Sequence, residues 1–258
     1  MLFNYFVVII VITICVAQSA FAESKEFQKM MKAAKKGDIE AQYCIGAMYL
    51  DGDGVKRNTK EAVKWFRKSA EQGFAAGQYM MGTIYEAGEG VKRDFKEAAS
   101  WFNKAAMQGF DWAQCELGIM YLNGVGVKQN YSTAFDLFLN AAEQGNMQAL
   151  YCIGTMFTNG LGVKQNHHQA FECYQAAASK GFPEAEFNLG AYYYLGKGVK
   201  QNEKDAIKWF NKAAAHNNEH AIQVLEILRQ EEQARRQQAQ LKAQQAQRQA
   251  QVKKAKHT

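Results

Sequence analysis

The feature that most constrains this chain is a seven-residue pattern that returns five times at an interval of 36 residues. The copies GDGVKRN, GEGVKRD, GVGVKQN, GLGVKQN and GKGVKQN begin at Gly52, Gly88, Gly124, Gly160 and Gly196. Repetition at this length is typical of solenoids, in which each helix pair buries its apolar face against its neighbours. Gapless alignment gives units at 33–68, 69–104, 105–140, 141–176 and 177–212, a partial sixth at 213–228, and a lead at 23–32 into the first helix. The sequence therefore predicts an all-α solenoid.

Apolar spacing divides each unit into two helices. In the first copy Ala41, Ile45, Met48 and Tyr49 recur at helical spacing and predict a buried stripe on the first helix. Every copy also has a glycine within this helix, although glycine there costs about 1 kcal/mol relative to alanine. We therefore expect a close backbone approach at a helix crossing at these positions, which are Gly46, Gly82, Gly118, Gly154 and Gly190.

The second helix of each unit begins at a capping residue. Asparagine and aspartate are good N-caps, and they stand at Asn58, Asp94, Asn130, Asn166 and Asn202. An aromatic residue between two alanines at four-residue steps then predicts tight packing of this helix. Between units a glycine, or Asn217 in the sixth unit, is expected to end the preceding helix in the left-handed conformation.

The glycine-rich pattern could also be read as a phosphate-binding loop, because backbone amides near a lysine hold anions well. Such a loop needs a parallel sheet before its helix and a serine or threonine for the metal, and neither accompanies GVGVKQN. We interpret the pattern as a connector between two helices, in which glycine permits positive φ.

The first 22 residues differ from the rest of the chain. They carry no charged side chain, have a largely apolar run from Phe6 to Val16, and end in Ala20, Phe21 and Ala22. This arrangement is typical of a signal peptide cleaved before Glu23. We therefore expect a periplasmic or secreted protein without a transmembrane segment after cleavage. Because no lysine or arginine precedes the apolar run, an uncleaved membrane anchor is the alternative.

Four cysteines follow the predicted signal peptide, at Cys44, Cys115, Cys152 and Cys173. An exported protein can form disulfides, but these positions show no regular pairing within the repeat. We interpret the cysteines as small apolar residues at helix interfaces, with a Cys152–Cys173 bridge as the alternative.

Positive charge is concentrated in the tail at residues 229–258. Eight lysines and arginines stand there against Glu231 and Glu232, so the tail carries 8 − 2 = +6, which equals the net charge of the whole chain. The tail is rich in glutamine and alanine, and we expect either a helix or disorder. Its charge could meet an anionic envelope polymer, phospholipid headgroups or an acidic protein, whereas nucleic acid is not an expected partner of an exported chain.

The units resemble Sel1-like repeats, which are related to the tetratricopeptide repeat. The resemblance rests on GQYMMGTIYEAGEGVKRDFKEAASWFNKAA, from Gly77 to Ala106, and on its four sister copies. It implies a right-handed superhelix that acts as a scaffold for a protein or peptide partner, without catalysis, cofactor or metal. By analogy with the tetratricopeptide pattern, the resemblance implies a concave binding face that includes Tyr43, Tyr79, Tyr151, Phe187, Leu50, Leu122 and Tyr194. The alternative is that these side chains only fill gaps between units.

Three other functional hypotheses arise from the sequence. A row of loop lysines could follow a polyanion, at Lys56, Lys92, Lys128, Lys164 and Lys200, but the balanced charge of the repeat region favours solvated lysines. The string HNNEH, from His216 to His220, matches a zinc-peptidase arrangement but straddles a predicted turn. Some cysteine-rich relatives have been described as beta-lactamase-like, but this chain lacks their regular cysteine pairs and the Ser-x-x-Lys and Lys-Thr-Gly motifs.

Overall fold

The computed structural model describes residues 23–255, with side chains through residue 248, and this part of the chain contains twelve α-helices and no strand. The helices are α1 (Lys25–Lys35), α2 (Ile39–Asp51), α3 (Thr59–Glu71), α4 (Ala75–Ala87), α5 (Phe95–Met107), α6 (Asp111–Asn123), α7 (Tyr131–Glu143), α8 (Met147–Asn159), α9 (His167–Ser179), α10 (Pro183–Leu195), α11 (Glu203–Ala215) and α12 (Glu219–Ala255). The predicted signal peptide at 1–22 lies outside the described residues. Among the helices from residue 23 onward, none is both long and apolar enough to cross a bilayer.

The chain forms two compact bodies, which divide between Ala149 and Leu150. In the N-terminal body consecutive helices from α1 through α7 pack against each other, and in the C-terminal body consecutive helices from α9 through α12 do the same. Consecutive packing of helix pairs is the arrangement of a solenoid. The predicted all-α class and the predicted stacking of repeats are confirmed.

The segment that was expected to be a lead into the first helix is largely helical itself. Ser24 accepts a hydrogen bond from the backbone N–H of Phe27 at 3.0 Å and so caps α1. Phe27 and Ala34 are buried, and α1 packs against α2. Helix α1 therefore acts as the second helix of an incomplete repeat. It extends past Ala33, the residue at which the first unit was expected to begin.

The predicted caps and turns are present. Asn58 Oδ1 accepts from the N–H of Glu61 at 3.2 Å, and the asparagine or aspartate before α5, α7, α9 and α11 caps those helices in the same way. The predicted left-handed ends are also found, with φ of 83° at Gly181 and 61° at Asn217. The stripe on α2 is only partly as expected, because Ala41 and Ile45 are buried whereas Met48 and Tyr49 keep some exposure.

The second glycine of a loop makes a contact in both bodies that the sequence pattern did not predict. A Cβ atom on Gly126 would lie 2.2 Å from the carbonyl oxygen of Phe95 at the start of α5, and one on Gly198 would lie 2.2 Å from that of His167 at the start of α9. The loop of one repeat therefore rests on the second helix of the preceding repeat. Only glycine allows this approach, which supports the interpretation of the pattern as a structural connector.

The glycines within the first helices receive aromatic rings. A Cβ atom on Gly82 would lie 2.5 Å from two ring carbons of Phe102, on the second helix of the same repeat. The corresponding pairs are Gly46 with Phe66, Gly118 with Phe138, Gly154 with Tyr174, and Gly190 with Phe210. A close approach is found at each glycine, but its partner is an aromatic side chain and not the backbone that was expected. We call each such contact a glycine–ring contact.

The glycine–ring contact predicts the effect of Gly82→Ala. Alanine favours the helix by about 1 kcal/mol, but its methyl group would overlap the Phe102 ring, and overpacking typically costs about 1–3 kcal/mol. We expect a net loss of stability, measured as a lower midpoint of urea or thermal unfolding.

Two further variants separate steric overlap from a general effect of replacing glycine. A Cβ atom on Gly109 would meet no atom within 4 Å, and Asn217 already adopts the equivalent turn, so Gly109→Asn should change stability by less than about 1 kcal/mol. Adding Phe102→Leu to Gly82→Ala should recover part of the lost stability. An unfolding midpoint for Gly82→Ala equal to or above that of the parent would contradict the steric account.

Candidate functional site

All seven residues predicted to line a binding face are partly buried residues of first helices. The N-terminal body contains Tyr43, Leu50, Tyr79 and Leu122, and the C-terminal body contains Tyr151, Phe187 and Tyr194. Binding of a partner by these residues stays a prediction. The contacts of their side chains show which groups are available for such binding.

The predicted tyrosines of the first helices each pack between two other rings. The Tyr79 ring lies 5.7 Å from that of Phe102 on its own repeat and 5.4 Å from that of Phe110, which precedes α6 in the next repeat. Tyr43 lies 5.5 Å from both Phe66 and Phe74 in the same way. The rings therefore take part in stacking of the repeats, and their partly exposed edges are held in fixed positions.

The same arrangement recurs in the C-terminal body. The Tyr151 ring lies 5.8 Å from that of Tyr174 and 5.6 Å from that of Phe182. Phe187 lies 5.7 Å from Phe210 and 5.8 Å from the His220 ring. Burial raises the pKa of the Tyr43, Tyr79 and Tyr151 phenols above their usual value, so these side chains stay neutral hydroxyl groups near neutral pH.

Two carboxylates that were not predicted lie near Tyr79. Burial raises the pKa of Glu116 to about 7, and the negative charge of Glu86 adds to the rise. Burial also raises the pKa of Glu86, and both carboxylates raise that of Tyr79. The first helices of two consecutive repeats thus bring two acids and a phenol together in one partly buried region.

The sequence did contain a signal for these carboxylates. Glu86 occupies the repeat position at which Leu50, Leu122 and Tyr194 stand, and Glu116 occupies the position of Cys44, Met80, Cys152 and Asn188. An acid that replaces neutral residues at a partly buried repeat position is a departure visible in the alignment. The sequence does not show, however, that Glu86 and Glu116 are neighbours, because only the tertiary structure brings these two residues together.

A sequence profile of the Sel1 repeat matches residues 39–74, 75–110, 113–146, 148–182 and 183–218. The chain belongs to the Sel1 repeat family. The first matched segment begins at the first residue of α2, whereas the unit expected from the loop alignment began at residue 33.

Solved structures of other family members have the same fold. One of them is c5321, described as a protective antigen present in uropathogenic Escherichia coli strains and displaying an SLR fold. Its sequence is 35% identical to this chain, and the two structures superpose with a TM-score of 0.70. The match covers 74% of this chain and 41% of c5321. A Sel1 repeat protein from Oxalobacter formigenes is 30% identical with a TM-score of 0.72, over 79% of this chain and 87% of that one. This chain therefore spans less than half the length of c5321.

A more distant similarity concerns the fold alone. Immunity protein Pa5087 from Pseudomonas aeruginosa is 23% identical with a TM-score of 0.51, over 73% of this chain and 72% of that one. A comparison with curated protein sequences gave no match.

This Sel1 repeat protein also contains a series of buried glutamines that the sequence analysis missed. Gln78 is 6% exposed, donates through Nε2 to the carbonyl oxygen of Ala70 at 3.2 Å, and accepts from Nε2 of Gln108 at 2.7 Å. The equivalent side-chain pairs are Gln42 with Gln72 and Gln114 with Gln144. Each pair ties a first helix to the end of the second helix in its own repeat.

In the fifth repeat an acid and a histidine replace the two glutamines. Glu186 is 1% exposed, and its Oε2 lies 2.8 Å from Nδ1 of His216. His220 lies beyond the turn at Asn217 and packs against Phe187. The two histidines of the HNNEH string therefore point to different partners, and the described residues contain no group of three side chains suited to a metal ion.

In the C-terminal body, one repeat position of the predicted binding face is occupied by a threonine. Thr158 stands where the first repeat has Leu50, and its Oγ1 donates to the carbonyl oxygen of Gly154 at 2.8 Å. The hydroxyl groups of Tyr174 and Tyr192 lie 3.0 Å and 2.5 Å from the same oxygen. Because a hydroxyl group has one proton, both tyrosines donate to Thr158, and its polarity is satisfied within the protein.

The predicted row of loop lysines is exposed along its whole length. Lys56, Lys92 and Lys128 belong to the N-terminal body, and Lys164 and Lys200 belong to the C-terminal body. Exposure agrees equally with solvated lysines and with binding of a polyanion, so the latter stays a prediction.

The alternative disulfide is not formed in the structure. Cys152 on α8 and Cys173 on α9 both keep free thiols. Burial raises the pKa of Cys173 to about 11, so this side chain is an unreactive neutral thiol near neutral pH. These two residues therefore act as small apolar side chains in the packing.

The tail, for which both a helix and disorder were expected, continues α12 as far as Ala255. All its side chains between Arg229 and Arg248 are exposed. Arg235 and Arg236 form ion pairs with the glutamates four residues before them, at 3.5 Å and 2.6 Å, which helps an isolated helix slightly. Binding of an anionic partner by the tail stays a prediction.

The raised pKa of Glu116 predicts how stability depends on pH. The carboxyl group binds its proton more tightly in the folded state than at the ordinary pKa of 4.5, so its contribution to stability is present below that value and is lost as pH rises through about 7. We expect Glu116→Gln to remove this loss and to raise the free energy of unfolding above neutral pH by about 1 kcal/mol, allowing for solvent screening.

Thermal unfolding at several pH values tests this expectation, with the exposed Glu143→Gln as the matched control. The parent and the control should lose stability between acidic and neutral pH more steeply than Glu116→Gln. Parallel curves for all three proteins would show that ionisation of Glu116 does not oppose folding.

The pair of Glu186 and His216 predicts a second effect on stability. His216→Ala should lower the free energy of unfolding by about 1–3 kcal/mol, because a buried carboxylate loses its hydrogen-bond partner. The double variant Glu186→Gln with His216→Gln restores the amide pair of the N-terminal repeats and should recover most of that loss. Chemical unfolding measures the free energy of unfolding of each variant. If His216→Ala were as stable as the parent, the pair of Glu186 and His216 would contribute nothing to stability.

Proposed function

We propose that this protein is an exported scaffold that binds a protein or peptide through the partly exposed rings of its first helices, without catalytic chemistry. The observation that carries the proposal is the region around Tyr79, Glu86 and Glu116, which we call the Tyr79 region. It combines an aromatic edge held between two other rings with two partly buried acids.

The rings supply what a binding surface needs. Aromatic side chains that are already fixed lose little conformational freedom when a partner binds, and tyrosine is common among residues that contribute most to binding. The phenol of Tyr79 remains neutral because burial and the nearby acids raise its pKa. It can therefore donate a hydrogen bond to a backbone carbonyl of a partner.

The acids indicate the chemistry of the partner. No ion pair in the described part of the chain involves Glu86 or Glu116. A lysine or arginine beside an apolar residue in the partner would satisfy both carboxylates and remove their mutual repulsion. The preferred partner segment is therefore basic and partly apolar.

Export is supported by the residues that precede α1. The apolar run and the small residues up to Ala22 are typical of a signal peptide. The similarity to c5321, which is described as a protective antigen, also supports a location outside the cytoplasm.

Selection from a random peptide library on the chain from Glu23 to Thr258 tests the proposal. We expect the selected peptides to contain lysine or arginine next to apolar residues. Their affinity should fall about threefold to tenfold in the double variant Glu86→Gln with Glu116→Gln, which corresponds to an ion pair of roughly 1 kcal/mol. Binding should also strengthen as pH rises through the pKa of Glu116, about 7.

The double glutamine variant separates binding from folding, because we expect it to be at least as stable as the parent. The matched control is Glu97→Gln with Glu143→Gln, which removes two exposed carboxylates from second helices. Selected peptides without positive charge, or equal affinity for the parent and both variants, would show that the Tyr79 region is not the binding site.

A further inference from the structure

The first helix of the structure has one entirely basic face. Lys25, Lys29, Lys32 and Lys36 follow one another at steps of four, three and four residues, which places them within an arc of about 60°. All four are exposed, whereas Phe27 and Ala34 on the opposite side are buried. We call these four residues the lysine face.

The charge of the lysine face is not neutralised within the protein. In the described part of the chain, no carboxylate forms an ion pair with any of the four lysines. A polar end of a repeat array needs only mixed charges to remain soluble, whereas these four lysines share one arc of α1 that contains no acidic residue.

The repeat alignment shows that the lysine face replaces a packing surface. Lys29 stands 36 residues before Trp65, which is 8% exposed and packs with Phe27, Ala34 and Ile45. A lysine at this position leaves the outer side of α1 without an aromatic side chain for stacking, and it supplies positive charge there.

The position of the lysine face along the chain indicates what it meets. Lys25 follows Val16, the end of the apolar run, by only nine positions. Even when fully extended, nine residues span at most about 30 Å. When the apolar run is in a bilayer, α1 is therefore held close to the headgroups, where each lysine near an anionic surface strengthens binding about fivefold.

We propose that the lysine face binds the anionic headgroups of a phospholipid bilayer and holds the N-terminal body of the repeats against the membrane surface. This surface differs from the Tyr79 region and from the tail. Binding does not require that the apolar run be retained, because Lys25, Lys29 and Lys32 belong to α1 and Lys36 is its C-cap. It weakens as salt rises, since charges beyond about 10 Å are screened at 0.1 M ionic strength.

Co-sedimentation with vesicles tests the proposal, using the chain from Glu23 to Thr258. This chain includes every described helix, and Ser24, which caps α1, is retained. We expect it to bind vesicles of phosphatidylcholine mixed with phosphatidylglycerol and not vesicles of phosphatidylcholine alone. Lys25→Gln, Lys29→Gln, Lys32→Gln and Lys36→Gln together should weaken binding at least tenfold, and because glutamine is a good helix former, circular dichroism should be unchanged.

Two variants with the same loss of four charges serve as controls. The first changes the exposed loop lysines Lys92, Lys128, Lys164 and Lys200 to glutamine, and the second changes Arg235, Arg236, Lys242 and Arg248 in the tail. We expect the loop variant to bind within about twofold of the parent, since its lysines belong neither to α1 nor to the loop around Gly54 that contacts Ser24.

Three results would overturn the proposal. Equal losses in the lysine-face and loop variants would indicate a general effect of net charge. A loss confined to the tail variant would assign membrane binding to α12. Equal binding to both kinds of vesicle would show that anionic headgroups are not recognised.

Discussion

The glycine–ring contact is the interaction on which the rest of the structure depends. Gly82 lets the Phe102 ring lie directly against the backbone of α4, and the same contact occurs in all five repeats. It sets how closely the two helices of a repeat approach. The ring then provides a surface for Tyr79, which in turn meets Phe110 of the next repeat. Packing within a repeat and packing between repeats thus share one aromatic side chain.

This dependence explains why the candidate binding region and the core overlap. A tyrosine edge is useful to a partner only when the ring is already held, and here the core holds it. Glu86 and Glu116 lie beside the same ring and oppose each other's ionisation, as shown by the raised pKa of Glu116. Their partial burial costs stability near neutral pH, and a positively charged partner would offset that cost. Tyr79 therefore contributes both to the packing of the repeats and to the proposed binding site.

The two ends of the described chain differ from the repeats between them. At the first end, α1 carries lysine where later second helices carry tryptophan, as Lys29 and Trp65 show. At the other end, Glu226 on α12 stands at the repeat position of the first-helix glycine, and no aromatic residue follows Phe210. Because α12 lacks both partners of a glycine–ring contact, its first turns pack through Leu225 and the remainder continues as an exposed helix.

The sequence alone determined the period, the helix pairs, the caps and the glycine positions, because these depend on residues close together in the chain or on repetition at 36 residues. Asn58 and Asn217 illustrate this, since each acts on its own turn. Only the tertiary structure decided which residues meet across longer separations. Gln78 and Gln108 lie 30 residues apart, as do Glu86 and Glu116, and nothing local to either pair brings them together. Their burial and hydrogen bonding follow from how helices stack, and the pKa of a carboxyl group depends on that environment and not on its neighbours in sequence.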